Sequence, residues 1–178
     1  MGPIEPPTLR DGDLVLRPKR REDLDAITAA CQDPEIPRWT FVPSPYTRDD
    51  ADHWFERSRA DARAGRAVNL VAVDGEDRLL GSFSVMELGR APGYGELGYW
   101  VTAEARGRGV ATRATRLLHD WAARELGLTE IEILPHRDNA PSRRVAEKIG
   151  YTDTGELRPP PRGPGGEAVY AVYRWRAG

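Results

Sequence analysis

Cysteine is nearly absent from this 178-residue sequence, in which Cys31 is the only one. A single cysteine excludes an internal disulfide framework, a cysteine-based zinc site and a paired redox motif, and it favours a reducing, cytoplasmic setting. Histidine is also scarce: His53, His119 and His136 do not have the spacing of metal ligands on one helix face. We therefore expect no metal cofactor.

Long apolar runs are missing as well. No stretch approaches the roughly 18 uninterrupted apolar residues of a membrane span, and residues 1–7 lack the apolar core of a signal peptide. The formal net charge is -2 with both signs mixed along the chain, so neither nucleic acid nor a membrane is an expected partner. With 39% hydrophobic and 30% charged residues, the chain is expected to form one domain over residues 1–178.

Hydrophobic periodicity divides the chain into strands and helices. The pattern predicts strands at residues 14–18, 68–73, 79–88, 96–102, 130–134, from 151, and 168–175, and helices at about residues 21–30, 47–65, 110–126 and 140–149. Residues 33–45 are rich in proline and predict an irregular substrate-side loop, and residues 159–166 predict a long exposed loop. A long helix joins 96–102 to 130–134, as parallel strands require, whereas short turns join the strands before it, so the sheet should be mixed.

One turn carries a recognisable chemistry: Arg106-Gly107-Arg108-Gly109-Val110-Ala111, between a predicted strand and the start of an amphipathic helix. Backbone amides at a helix start lack intrahelical partners and bind anions. The two glycines let a diphosphate approach the backbone, and Arg106, Arg108 and Arg113 add positive charge. Such a turn on its own more often marks an ordinary glycine-containing loop with a solvated basic rim, so the surrounding sequence must decide.

The surrounding sequence resembles the GNAT superfamily of acetyltransferases. Arg106, Gly109 and Ala111 match its Q/R-x-x-G-x-G/A signature. The segments 95–101 and 139–151, together with residues 14–18 and 21–30, are similar to its ribosomal-protein N-terminal acetyltransferase (RimJ/RimL-like) branch, so the resemblance covers nearly the whole chain. It implies an α+β fold with a central mixed, mostly antiparallel sheet that splays between the fourth and fifth predicted strands. It also implies transfer of an acetyl group from acetyl-CoA to a primary amine by direct attack.

The resemblance assigns the cofactor contacts too. Backbone groups near Val101 would pair with the pantetheine arm, and the amides of the turn would hold the pyrophosphate. The implied coenzyme A contacts are Val101, Arg106, Gly107, Arg108, Gly109, Val110, Ala111, Thr112, Asn139 and Ser142. Arg143 is a further candidate, for the adenosine 3′-phosphate, although exposed arginines on a helix are also ordinary surface. Asn139 is equally explained as a helix N-cap, and the two roles can coexist.

Two residues are candidates for proton transfer. Direct attack needs a neutral amine, a polarised carbonyl and a stabilised leaving thiolate. Glu96 is the carboxylate on the strand nearest the turn; it could accept the ammonium proton or simply face solvent, and Glu87 is a second choice. Ser142 matches the serine that the branch is thought to use at the thiolate. Other branches carry a tyrosine acid later in this helix, where this sequence has Ala146.

The acceptor is left open by the sequence. Trp39, Phe41, Trp54 and Tyr99 could line an acceptor pocket, and core packing would explain several of them as well. A protein N-terminus and a small-molecule amine both fit the resemblance. The alternative function is a non-catalytic acyl-CoA-binding regulatory module, which would keep the glycine turn but need no base. The apolar alternation of the last strand is compatible with a homodimer.

Overall fold

The computed structural model describes residues 2–160, 167 and 169–178. These residues form one eight-stranded sheet flanked by five α-helices. The strands are β1 (Leu9–Asp11), β2 (Leu14–Pro18), β3 (Val68–Val73), β4 (Leu79–Met86), β5 (Tyr94–Val101), β6 (Glu130–Ile133), β7 (Thr152–Arg158) and β8 (Tyr170–Arg176). The helices are α1 (Leu24–Ala30), α2 (Glu35–Trp39), α3 (Arg48–Arg63), α4 (Val110–Glu125) and α5 (Ala140–Lys148).

The sheet is mixed, as the sequence predicts. Its order is β1-β2-β3-β4-β5-β6-β8-β7, and every neighbouring pair is antiparallel except β5 and β6, which α4 connects. The parallel ladder runs from Tyr94 beside Glu130 to Leu97 beside Ile133 and ends there. Residues 98–101 of β5 extend past the end of β6 while staying paired with β4. The sheet therefore opens between β5 and β6, where the resemblance implies a splay.

Each face of the sheet has its own hydrophobic core. One core packs β-strand residues such as Leu97 and Ile133 against α4 and α5, and the other packs Val71 and Val73 against α1 and α3. Side chains alternate between the faces along a strand, so Leu97, Tyr99 and Val101 face α4 and α5, whereas Glu96 and Trp100 face α3.

Two helix starts carry capping signatures in the sequence, and the structure confirms both: Thr47-Arg48-Asp49-Asp50 has the form of a capping box, and Asn139 precedes the apolar positions of its helix. The Thr47 hydroxyl accepts a hydrogen bond from the Asp50 amide, and the Asp50 carboxylate accepts one from the Thr47 amide, which makes a capping box for α3. At α5 the Asn139 side chain accepts from the Ser142 amide at 3.2 Å. Asn139 is thus an N-cap, as one of its two interpretations predicts.

Some predicted boundaries are wrong. The proline-rich segment contains α2, because Pro34 is its N-cap with φ -62° and Pro37 lies in its first turn, where the missing N–H would have no intrahelical partner. Strand β4 ends at Met86 rather than residue 88, since Glu87 adopts φ +57°. The short strand β1 was not predicted. Of the predicted loop at 159–166, residues 161–166 lie outside the described part of the chain.

Candidate active site

The glycine turn leads from β5 into α4. Gly107 and Gly109 have φ of +71° and +75°, a region that residues with a Cβ rarely adopt. A Cβ built on either glycine meets no atom within 4 Å, so the space in front of the turn is open. The first intrahelical bond runs from the Arg113 amide to the Gly109 carbonyl at 3.0 Å. The preceding amides, those of residues 110–112, lie at a helix start where no intrahelical carbonyl is in reach, and they form an anion-binding end of a 16-residue helix.

Two of the arginines near the turn are held by carboxylates. Arg106 forms a 2.6 Å ion pair with Asp33, in the connection between α1 and α2, and donates to the Val101 carbonyl at 3.3 Å. Arg113 forms ion pairs with Asp11 and Asp13. It therefore does not lie over the turn, where the sequence predicts its charge. Anion binding at the turn therefore rests mainly on backbone amides.

A cleft of about 1210 Å³ connects the turn with the α3 side of the sheet. Its lining includes all but one of the predicted cofactor residues of the turn, the open end of β5 and the first turn of α5. The predicted site residues that line the cleft are Trp39, Phe41, Trp54, Glu96, Tyr99, Val101, Arg106, Gly107, Gly109, Val110, Ala111, Thr112, Asn139 and Ser142. Arg108 is exposed beside it, and Arg143 is not part of its lining. One cavity thus brings the cofactor and acceptor candidates together.

The first turn of α5 presents Ser142 to the cleft. Its hydroxyl lies 3.0 Å from the Tyr99 hydroxyl. The neighbouring Arg143 turns the other way, donating to the Tyr173 hydroxyl at 3.0 Å, whereas Arg144 lines the cleft. The geometry therefore favours Arg144 over Arg143 as a basic group for the cofactor.

Tyr99 lies apart from the other aromatic candidates. It faces the α4 side, stacked on Phe83 with ring centroids 5.6 Å apart, while Trp54 packs on the α3 side. Burial raises the pKa of Tyr99 to about 12, although the hydrogen bond with Ser142 opposes the shift. The Tyr99 hydroxyl therefore stays protonated at neutral pH and can donate a hydrogen bond to the Ser142 oxygen.

Glu96 is buried at the floor of the cleft. Only 7% of its surface is exposed, although it lines the cavity. Glu87 also lines the cavity but is exposed, just beyond the end of β4. Glu132, beside Glu96 in the parallel ladder, is committed elsewhere: it is 1% exposed and accepts hydrogen bonds from Tyr94, Arg158 and Arg174. Burial alone would raise the pKa of Glu132, but these hydrogen bonds outweigh it and lower the pKa. Glu96 is thus the carboxylate of this pair that the cleft reaches.

An aromatic cluster lies along the cleft at the predicted acceptor residues Trp39 and Phe41. Trp39 packs on His136 with centroids 5.5 Å apart, His136 packs edge-on against Tyr170 at 5.7 Å, and Phe41 stacks on Tyr170 at 5.9 Å. These contacts join the segment around α2 to the chain after β6 and to β8. The predicted acceptor residues Trp39 and Phe41 therefore contact the chain on the β6 and β8 side of the opening.

Two kinds of feature are absent from the part of the chain that the structure describes. No three or more His, Cys, Asp or Glu side chains come together there in a way that could hold a metal ion. No helix in that part of the chain is long and apolar enough to cross a membrane.

Comparison with known proteins places this geometry in a family. The family model described as an acetyltransferase (GNAT) domain matches residues 13–152. YdaF of Bacillus subtilis (strain 168), named as a ribosomal N-acetyltransferase, is 36% identical over 148 residues, covering 81% of this chain and 79% of YdaF. The spermidine N(1)-acetyltransferase of Escherichia coli (strain K12) is 25% identical over 142 residues, covering 80% of this chain and 74% of that enzyme.

The fold has close counterparts among solved structures. Mycobacterium smegmatis RimJ in complex with CoA-disulfide superimposes with a TM-score of 0.87 at 22% identity, covering 99% of this chain and 90% of that one. The overall fold is thus an established one, and the RimJ structure that shares it is a complex with CoA-disulfide. The chain belongs to the GNAT acetyltransferase family and is an N-acetyltransferase that moves an acetyl group from acetyl-CoA to an amine.

Proposed function

We propose that this enzyme acetylates its acceptor by direct attack within the single cleft, with Glu96 as general base and Ser142 at the leaving sulfur. The observation that supports this most is that one cavity is lined by the glycine turn, Glu96 and Ser142. A non-catalytic acyl-CoA-binding module would need no carboxylate buried at the floor of that cavity. Glu96 and the family membership therefore favour the enzyme over that alternative.

The cleft has the features that coenzyme A requires. Open space at Gly107 and Gly109 and the amides of residues 110–112 would hold the pyrophosphate. The backbone of residues 98–101, which extends past β6, would pair with the pantetheine arm. Arg144 would meet the 3′-phosphate. When bound, acetyl-CoA supplies the activated acetyl thioester.

The protein groups divide the proton transfers between the two faces of β5. The Glu96 carboxylate, on the α3 face, accepts the proton of the entering ammonium group, so that the amine becomes nucleophilic. On the other face, Ser142 donates its hydroxyl hydrogen toward the leaving sulfur. Tyr99, which stays protonated, donates to the Ser142 oxygen and orients that hydroxyl outward.

The test is a set of three substitutions. We expect Glu96→Gln to lower kcat at least 100-fold while the Kd for acetyl-CoA stays within twofold, because a general base contributes about 10² to 10⁴ in rate. Ser142→Ala and Tyr99→Phe should each lower kcat about tenfold. Glu87→Gln changes the second candidate base, which is exposed at the same cleft, and should leave kcat within twofold; a loss there instead of in Glu96→Gln would make Glu87 the base. Full activity of Glu96→Gln would remove Glu96 from the mechanism.

The acceptor is proposed as a protein N-terminus or a small-molecule amine. Both kinds appear in the names of relatives, a ribosomal N-acetyltransferase and a spermidine acetyltransferase. The aromatic residues Trp39, Phe41 and Trp54 would form the walls of its site. Homodimer formation and a cytoplasmic location stay predictions.

A further inference from the structure

A polar row crosses the sheet beneath α3. Asn69 of β3, Ser84 of β4 and Gly98 of β5 are direct neighbours in register, and all three line the cleft. They face the same side of the sheet as Glu96, two residues before Gly98. A sheet face beneath a helix is ordinarily apolar, as β3 is further along at Val71 and Val73.

The hydrogen bonding of this row fixes the direction of its groups. The Ser84 hydroxyl donates to the Asn69 side-chain oxygen at 2.6 Å. The carbonyl end of the amide is then occupied, and its NH₂ group is the end left to donate elsewhere. Gly98 contributes no side chain, and the methyl end of Met86, from β4, lies over it, 2.8 Å from where a Cβ would stand. The floor between this amide and Glu96 is therefore formed by Met86, which also lines the cleft.

We propose that Asn69, oriented by Ser84, is a subsite that donates a hydrogen bond to the carbonyl oxygen next to the acceptor's amine. This rests on the proposed function, in which Glu96 meets the ammonium group. Asn69 and Glu96 lie two strands and two residues apart, a backbone separation of about 12 Å that their side chains and one small acceptor, resting on Met86, would span. An α-amino carbonyl compound presents a donor ammonium and an acceptor carbonyl on adjacent carbons. The enzyme therefore prefers N-termini and amino-acid amides to amines that lack the carbonyl.

A neighbouring serine provides the control. Ser82 lies two residues from Ser84 on the same face, and its hydroxyl is committed to the Leu70 carbonyl at 3.2 Å. Loss of the Ser82 hydroxyl changes the polarity of the sheet surface but leaves the Asn69 amide oriented. A general effect of polarity would thus appear in Ser82→Ala as well as in the subsite variants.

The experiment compares alaninamide with sec-butylamine, which replaces the carboxamide by an ethyl group. For Asn69→Ala we expect kcat/KM to fall about fivefold with alaninamide, the effect of one neutral hydrogen bond, and to stay within twofold with sec-butylamine. Ser84→Ala keeps the Asn69 amide but removes the hydrogen bond that orients it, and should lower kcat/KM with alaninamide about threefold, with no change beyond twofold for sec-butylamine. Ser82→Ala should change neither, and taking each variant relative to wild type cancels the different basicities of the amines.

The outcomes separate the two proposals. If wild type turns over both amines and Asn69→Ala affects them equally, the subsite is overturned while the proposed function stands. If the unfolding transition shows that Asn69→Ala is poorly folded, the comparison of the two amines is made with Ser84→Ala instead. If wild type acetylates neither these amines nor an alanine tetrapeptide amide, although it binds acetyl-CoA, the proposed function fails and the subsite fails with it.

Discussion

A carboxylate placed at the glycine turn should abolish tight cofactor binding without unfolding the enzyme. In Gly109→Glu the new side chain enters open space beside the start of α4, where the pyrophosphate is expected. Two unit charges about 5 Å apart repel by about 3 kcal/mol at an effective dielectric constant of about 20. Because solvent reaches the turn and weakens this repulsion, we expect the Kd for acetyl-CoA to rise between about tenfold and 100-fold.

The same helix supplies a matched control. Gly127, just past the C-terminal end of α4, has φ +63° and also has open space around a built Cβ. Gly127→Glu therefore imposes the same left-handed backbone cost, about 1–2 kcal/mol in the free energy of unfolding, at the end of α4 remote from the turn. Calorimetric titration and denaturant unfolding of both variants separate binding from stability. Equal affinities in the two variants would refute the assignment of the turn to the pyrophosphate.

Three further predictions concern stability and reactivity. Glu132→Gln should lower the free energy of unfolding by about 2–3 kcal/mol in urea titration, because it leaves Arg158 and Arg174 without their carboxylate. Because the folded-state pKa of Glu132 is lowered, its contribution to stability should be complete above the unfolded pKa of about 4.3 and should be lost as pH falls from there through the folded-state pKa. A difference in the free energy of unfolding between wild type and variant that stays constant from pH 6 to pH 3 would contradict this. Thr47→Ala should cost about 1 kcal/mol in the same assay, since α3 loses its cap, and no change would mean that the capping box does not stabilise the helix. Cys31 should resist a thiol reagent at pH 8 until the protein unfolds, because burial raises the pKa of its thiol to about 12; fast labelling of the folded protein would contradict this burial.

The sequence predicts those features that depend on local pattern. The start of α4 at the glycine turn, the capping box of α3 and the cap of α5 follow from residues within one helical turn of each other. The sequence does not predict helix α2, because several prolines in residues 33–45 indicate an irregular loop, although proline is well tolerated in a first helical turn.

Features that depend on strand register could not be derived in the same way. The face on which Tyr99 lies, and hence its contact with Ser142, depends on where β5 begins, and an error of one residue exchanges the faces. The pairing of Asn69 with Ser84 depends equally on register. The ion pair of Arg106 with Asp33 joins segments that no sequence periodicity relates.

The measurement closest to the central claim is an initial-velocity study in which acetyl-CoA and an accepted amine are both varied. A cleft that holds both substrates and transfers the acetyl group directly predicts intersecting lines in the double-reciprocal plot, with thiol released only when amine is present. Parallel lines, with a burst of thiol before amine is added, would show a covalent acetyl-enzyme and contradict direct attack.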